Sequence, residues 1–169
     1  TMSAATFSVS FAGPHVSIQD AGRPGLMRFG VPASGPMDRQ SFVLANAALG
    51  NPAGHPGIEI SLGGLSLRCL SGAVTAALTG GGFIAEIAGR KLGAWNVISI
   101  KAGETLTIRP GPWGSWCYLA VAGDLQAESW LGSRATHGSS NFGGGKLTAN
   151  QVLTITNPQT LPHREGPVP

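Results

Sequence analysis

Apolar and polar residues alternate in short runs along most of this chain, and Gly, Pro, Asn or Asp closes each run. Thr6–Phe11 (TFSVSF) alternates, Ala12-Gly13-Pro14 turns the chain, and His15–Ile18 (HVSI) is again strand-like. From Gly57 onward the runs are GIEISLGG, LSLRCLSG, AVTAALTGGG, FIAEIAGR, NVISIKAGE, TLTIRPGP, WCYLAVAGD and QVLTITNP. Because no helical segments lie between them as crossovers, the pattern predicts an all-β, antiparallel barrel or sandwich.

One segment has helical rather than strand-like spacing. It opens at Asp38, repeats apolar residues at Phe42, Ala45 and Leu49, and stops at Gly50-Asn51-Pro52. The spacing predicts one short α-helix.

A long Gly- and Pro-rich connection precedes this helix. Irregular chain of this length in a compact domain is more often a functional loop than a spacer. Two interpretations remain open: Asp20 and Arg23 form a local salt bridge while Asp38 caps the helix, or these groups bind a ligand. The polar members of the connection are Gln19, Asp20, Arg23, Arg28, Ser34, Asp38 and Arg39.

Composition and charge narrow the function classes. A length of 169 residues with 42% apolar and 11% charged residues predicts one soluble, folded domain. The net charge of +3 is spread without a basic cluster, which argues against nucleic-acid binding.

No leader and no apolar run of spanning length can be read, so we expect a cytoplasmic protein without membrane contact. Residues 1–157 are predicted to form the domain, and residues 158–169 a Pro-rich linker or tail.

Cysteine and histidine usage predicts no metal site. Cys69 and Cys117 lie in apolar runs, which is typical of buried, reduced thiols, although one disulfide remains open. The 4 histidines stand alone among turns rather than at metal-ligand spacing. The sequence GGGF at 80–83 lacks the Lys-Ser/Thr of a phosphate loop and is interpreted as a turn.

A second polar loop and one strand carboxylate complete the candidate chemistry. The loop, residues 131–146, reads LGSRATHGSSNFGGGK, and Glu59 lies in the middle of a predicted strand. Such a carboxylate usually faces water; pointing inward, it would need Arg23 or Arg134 as a partner. A pocket for a small ligand with carbonyl or carboxylate groups is predicted from Asp20, Arg23, Ser34, Asp38, Glu59, Arg134 and Thr136.

Several motifs follow one another along the chain. They are Gln19-Asp20-x-Gly22-Arg23-x-Gly25, Gly30-x-Pro32-x-Ser34-Gly35-x-x-Asp38, Ala45-Asn46-x-x-x-Gly50-Asn51, Glu59 ahead of Gly63, Leu78-Thr79-Gly80, Tyr118-Leu-Ala-Val-Ala-Gly123 and Leu131-Gly132-Ser133-Arg134-x-Thr136. In this order they resemble the family called allophanate hydrolase subunit 2. That family is also known as the C subunit of 5-oxoprolinase and as half of the biotin-dependent carboxyltransferase domain of urea carboxylase, a urea amidolyase relative. The family continues beyond this length, so the chain resembles its N-terminal half.

The resemblance implies a cyclophilin-like β-barrel and a hydrolase acting on a carbon–nitrogen bond of a small amide. The implied reaction is ATP-dependent opening of 5-oxoproline, or a urea amidolyase-related carboxyl transfer, with an A-type subunit and a B-type subunit or domain as partners. ATP is implied for the assembly rather than for a motif of this chain, and biotin for carboxyl transfer. Catalytic roles fall to Asp20, Arg23 and Asp38, and substrate-binding roles to Gln19, Ser34, Asn46, Glu59, Arg134 and Thr136.

Within these roles, the resemblance makes Arg23 an oxyanion or carboxylate partner. Asp20 or Asp38 would hold the amide nitrogen or act as the base. The competing hypothesis is a non-catalytic regulatory module that antagonises a kinase inhibitor through the same partner surface. A pure partner surface would tolerate loss of Asp20 and Arg23, whereas a catalytic site would not.

Overall fold

The computed structural model describes residues 4–20, 36–126 and 146–169. Within these ranges the α-helix, α1, spans Arg39–Ala48, and a short 3-10 helix spans Pro162–Arg164. The strands are β1 (Ala4–Ala12), β2 (Ser17–Gln19), β3 (Gly57–Ile60), β4 (Leu65–Ser71), β5 (Ala73–Thr79), β6 (Ile84–Ile87), β7 (Arg90–Gly93), β8 (Asn96–Lys101), β9 (Thr105–Arg109), β10 (Cys117–Val121), β11 (Asp124–Gln126), β12 (Val152–Thr156) and β13 (Gly166–Pro167).

The strands form two antiparallel sheets. The seven-stranded sheet has the order β11-β12-β1-β4-β9-β6-β7, and the six-stranded sheet has the order β13-β8-β5-β10-β3-β2. This confirms the prediction of an all-β fold with one short helix after a long connection. The expected barrel is corrected in one respect: both sheets are open, because the outermost strands of each sheet do not pair with each other.

The main apolar core lies between the two sheets. A small apolar space there is lined by Phe7 and Leu153 of the seven-stranded sheet and by Ile58 and Leu119 of the six-stranded sheet. Successive side chains of a strand point to opposite faces. The neighbours of Ile58 and Leu119 in sequence therefore point to the other face of the six-stranded sheet.

Helix α1 covers that other face. Phe42 of α1 meets Tyr118 of β10 edge to face, with ring centroids 5.8 Å apart, and the Thr79 hydroxyl of β5 donates to the Ser41 carbonyl oxygen at 2.7 Å. Every residue of β10 is buried as a result. Burial on both faces explains why its sequence, CYLAV, does not show the alternation of a half-exposed strand.

The C-terminal segment contacts both the six-stranded sheet and the helix. The Gln159 carbonyl oxygen accepts from the Thr75 backbone N–H at 2.9 Å, and β13 pairs with β8. The Arg164 guanidinium donates to the Ala48 carbonyl oxygen at the end of α1, at 3.3 Å. The domain boundary at residue 157 stays a prediction, but the residues after it lie along the domain surface.

The thiols of Cys69 and Cys117 are free and buried, which confirms the prediction of reduced packing residues. They lie in different sheets, on β4 and β10. Burial raises the pKa of both thiols.

Within the described ranges, no helix is both long and apolar enough to cross a membrane.

Candidate functional site

A row of polar side chains crosses the six-stranded sheet beneath the start of α1. The strand register sets Ser17 opposite Glu59, Glu59 opposite Tyr118, and Tyr118 opposite Thr79. Directly opposed residues of antiparallel strands share a face. We call these four residues the polar row; each is at most 8% exposed.

Glu59 is the carboxylate at the centre of the polar row. Its Oε2 accepts from the Met37 backbone N–H at 2.7 Å and from the Tyr118 hydroxyl at 2.7 Å. The Tyr118 oxygen in turn accepts from the Asp38 backbone N–H at 2.8 Å. Glu59 therefore points inward, and its described partners are an amide and a phenol. The arginines predicted as its partners lie outside the described residues.

The environment of this pair changes both pKa values. Burial raises the pKa of Glu59, and the hydrogen bonds from Met37 and Tyr118 oppose this effect. Burial also raises the pKa of Tyr118, and the nearby charges of Glu59 and Asp38 act in the same direction. Tyr118 is therefore a protonated hydrogen-bond donor at neutral pH.

Gln19 adds an unpartnered polar atom beside the polar row. Its side chain is 7% exposed, and Nε2 donates to the Ser17 hydroxyl at 3.0 Å. Its Oε1 is buried and accepts no hydrogen bond from the described residues. Leaving a buried acceptor unpaired costs roughly 1–3 kcal/mol, so this oxygen lacks a bond that a buried acceptor normally makes.

The chain matches a known protein family over most of its length. Residues 29–168 match the family model described as "Carboxyltransferase domain, subdomain A and B". The chain belongs to this carboxyltransferase domain family. The resemblance read from its motifs is thereby confirmed.

Curated relatives and a solved structure agree with this assignment. Urea amidolyase of Saccharomyces cerevisiae is 37% identical over 158 residues, which cover 93% of this chain and 8% of that protein. The C subunit of 5-oxoprolinase from Escherichia coli is 33% identical over 133 residues, which cover 79% of this chain and 43% of that protein. The crystal structure of Kluyveromyces lactis urea amidolyase matches with a TM-score of 0.80 and 32% identity over 97% of this chain and 10% of that chain. The chain thus spans less than half of these relatives.

Asp38 lies next to the polar row of this carboxyltransferase domain, where its side chain caps helix α1. Its Oδ1 accepts from the Ser41 backbone N–H at 3.1 Å, and its Oδ2 accepts from the Ser41 hydroxyl at 2.6 Å. The interpretation of Asp38 as the cap of the helix is confirmed. Its predicted role as a base is untested, and both of its carboxylate oxygens already accept from Ser41.

Asn46 lies further along α1 and is bound within the chain. Its Nδ2 donates to the His55 carbonyl oxygen at 2.9 Å, and its Oδ1 accepts from Asn51 Nδ2 at 3.1 Å. Asn51 Nδ2 also donates to the Val121 carbonyl oxygen at 2.9 Å. These bonds tie the turn after α1 to the end of β10, so the structure does not bring the Asn46 side chain into the polar row.

The remaining predicted residues fall near β2 or outside the described ranges. Asp20 directly follows β2, and Lys146 forms a β-bridge with Ser17. The last described residue before the first polar loop and the first described residue after the second therefore both lie beside β2. Four predicted site residues lie outside the described ranges: Arg23, Ser34, Arg134 and Thr136.

The glycine turn does not fit a nucleotide phosphate, and the described residues do not form a metal site. The glycine turn at 80–82 is filled: a Cβ added to Gly82 would lie 2.5 Å from Trp113 Nε1. It therefore offers no cradle for phosphate, in line with its interpretation as a turn. Among the described residues, no group of three or more His, Cys, Asp or Glu side chains is placed to hold a metal ion.

Sequence reasoning missed Tyr118 and the Met37 amide as parts of the site. The sequence places Tyr118 in an apolar strand and in a family motif but gives it no role in the site. Its role could be predicted, because a phenol in a fully apolar run needs a buried hydrogen-bond partner. The Met37 amide had no signal, since every residue except proline carries the same donor.

The raised pKa of Glu59 predicts a pH-dependent stability. Because the folded state binds the Glu59 proton more tightly than the unfolded state, its contribution is full below the ordinary pKa of 4.5 and is lost as pH rises through the folded pKa. Glu59→Gln removes this titration. We expect the free energy of unfolding of the variant, relative to the native chain, to rise with pH across that window in urea titrations. Parallel profiles would contradict the prediction.

Glu86→Gln is the matched control for this measurement. Glu86 is a half-exposed carboxylate of the other sheet, 3.0 Å from Arg109. Its replacement removes a carboxylate without changing a buried one. The rise with pH that is expected for Glu59→Gln should therefore be absent in this control.

Proposed function

We propose that this carboxyltransferase domain binds and processes a small amide as one component of a larger assembly. The two candidate reactions are ATP-dependent opening of 5-oxoproline and carboxyl transfer to urea. The names of two relatives, urea amidolyase and the C subunit of 5-oxoprolinase, support this choice. The partners proposed are a B-type subunit or domain and an A-type subunit.

The observation that carries the proposal is a pair of buried acceptors on the neighbouring strands β2 and β3, both linked to Ser17. Gln19 Oε1 is unpartnered among the described residues, and Glu59 presents a carboxylate next to Ser17, to which Gln19 is bonded. Both groups suit the N–H donors of an amide. For the amide oxygen, whose negative charge grows during either reaction, Arg23 stays the proposed partner.

Cofactor binding is assigned to the assembly. The described residues of this chain offer no phosphate cradle at their glycine turn, so we place ATP on a partner. Bound there, ATP would supply the driving force for opening the lactam. Biotin would enter only in carboxyl transfer, carried by another domain. This chain would bind the amide, orient it and exclude water from it.

The experiment that tests the proposal reconstitutes the full-length protein with its A- and B-type partners. Phosphate release with 5-oxoproline is measured beside carboxyl transfer from carboxybiotin to urea. Turnover that requires both one of these amides and this protein is expected. Asp20→Ala and Arg23→Ala are each expected to lower turnover by about 100-fold or more, as for lost charge stabilisation or acid–base groups.

Arg90→Ala is the control, because Arg90 lies exposed on β7 in the other sheet. Turnover of the Asp20 and Arg23 variants within a few fold of the native assembly would refute the catalytic assignment. No turnover on either amide, with a stable complex still forming, would instead favour the regulatory module.

A further inference from the structure

The hydrogen bonds around ionised Glu59 have one direction, because a carboxylate only accepts. A backbone N–H always donates, so the Tyr118 oxygen accepts from Asp38 and its own proton points at Glu59 Oε2. The Met37 N–H donates to the same oxygen. Oε2 thus faces two donors, and neither bond uses Oε1.

This direction favours one oxygen of Glu59 for proton exchange. A proton on Oε2 would require the bond to Tyr118 to reverse, with Glu59 donating to a phenol oxygen that already accepts from Asp38. A proton on Oε1 leaves both bonds of Oε2 as they are. Oε1 is therefore the oxygen at which Glu59 can gain or lose a proton without rearranging these bonds.

We propose that Glu59 is the proton-transfer group of this site, exchanging its proton at Oε1, and that Tyr118 is the positioning residue that holds Oε2 and so presents Oε1 to the substrate. The proposal rests on the proposed function, because it takes a small amide as the substrate. It moves the role of base from Asp38, whose oxygens cap the helix, to a buried carboxylate.

Either candidate reaction needs a proton moved at an amide nitrogen. In carboxyl transfer, the urea nitrogen would bond to the carboxyl carbon of carboxybiotin, the bond from that carbon to the biotin nitrogen would break with its electron pair left on biotin, and the urea N–H proton would pass to Oε1. In opening of a lactam, a water oxygen would bond to the carbonyl carbon, the C–N bond would break, and nitrogen would retain that electron pair and take the proton from Oε1. The proton that the water loses would replace it. The same carboxyl group can therefore accept a proton in one reaction and donate a proton in the other.

The surroundings of Glu59 suit this role. It is faced by neutral Ser17 from β2, by protonated Tyr118 from β10, and by Asp38 from the start of α1. Among the described residues, no cationic side chain forms an ion pair with it. Burial raises the pKa of Glu59, and a higher pKa makes a carboxylate a better acceptor of a proton.

The activity test uses the reconstituted assembly. Glu59→Gln retains the size of the side chain and an acceptor oxygen for the Met37 and Tyr118 donors, but cannot exchange a proton. We expect kcat to fall by about 100-fold or more, the usual contribution of a general acid or base, with KM within a few fold. A kcat within a few fold of the native assembly would overturn the proposal.

The positioning role is tested by Tyr118→Phe. Loss of the hydroxyl removes a bond that lowers the pKa of Glu59, so the limb of the pH–rate profile that Glu59 sets should move to higher pH. This is the acid limb in carboxyl transfer, where Glu59 is the base, and the alkaline limb in lactam opening, where it is the acid. The control is Thr75→Val, which removes another buried hydrogen bond of the same sheet, from the Leu161 N–H, at a residue outside the polar row. It should reduce stability and leave the pH profile in place.

A readout without turnover separates this proposal from the proposed function. The side-chain carboxyl carbon of Glu59 is titrated by NMR in the unmodified chain and in both variants. Its pKa is expected above 4.5 in the unmodified chain, higher in Tyr118→Phe and unchanged in Thr75→Val. An ordinary pKa, or no change in Tyr118→Phe, would overturn the positioning. Absence of turnover on either amide would refute the proposed function and with it the proton-transfer role, while the titration would still decide how Glu59 is held.

Discussion

Replacing Phe42 with alanine is expected to lower the free energy of unfolding by about 3–5 kcal/mol, the usual cost of truncating a buried phenylalanine. Phe42 is 1% exposed and packs edge to face on Tyr118. A Cβ added to Gly57 would lie 3.4 Å from the Phe42 ring, so the ring sits directly on the backbone of β3. The sheet cannot close the space that the ring leaves. Urea denaturation measures the effect.

Phe11→Ala is the matched control, since Phe11 is 51% exposed at the end of β1. Its expected cost is below about 1 kcal/mol, because little apolar surface returns to water. Equal losses in the two variants would show that α1 is not held by its apolar contact with the sheet. In the Phe42 variant, the amides of Met37 and Asp38 should also be held less firmly against Glu59 and Tyr118.

Gly64→Ala is expected to cost about 2–5 kcal/mol. Gly64 has φ +81°, and a left-handed backbone costs alanine roughly 1–2 kcal/mol. The added Cβ would overlap the Ile108 carbonyl oxygen and lie 3.1 Å from the Arg109 Cα. Since these are backbone atoms of β9, relieving the clash would disturb the pairing of β4 with β9, at about 1–3 kcal/mol.

Gly89→Ala separates the two causes. Gly89 has φ +76°, but a Cβ there would meet nothing within 4 Å. Only the backbone cost of about 1–2 kcal/mol should remain. Thermal unfolding of both variants compares them directly. A Gly64→Ala loss no larger than that of Gly89→Ala would mean that β9 accommodates the extra methyl group.

Local sequence patterns are sufficient to predict a strand or helix wherever one physical cause dominates. The alternating run Thr6–Phe11 lies within β1, and the helix predicted to open at Asp38 and stop at Gly50 is α1 with Asp38 as its cap. In β1 the cause is burial of one face of the strand, and at the start of α1 it is a hydrogen bond to a free backbone amide. Both involve only a few neighbouring residues. The motif resemblance went further and identified the family, which the match over residues 29–168 supports.

Local patterns were insufficient for the candidate site. Glu59 was expected to face water or an arginine, and its described partners come from 22 and 59 residues away, at Met37 and Tyr118. The C-terminal segment, which lacks a core pattern, binds Thr75 through Gln159 because a backbone carbonyl needs no particular side chain. Such pairings depend on which strands become neighbours, and this depends on many distant contacts together.

Alternation, turn residues and family motifs each involve neighbouring positions, so most strands, the helix and the family can be predicted from the chain alone. Which groups meet depends on the fold: the strand order places Ser17, Glu59, Tyr118 and Thr79 side by side, and α1 packs over them. Burial explains this difference. A strand covered on both faces gives no sign in its own pattern of which face carries its polar groups, and the direction of their hydrogen bonds is set by donors brought in from elsewhere in the chain.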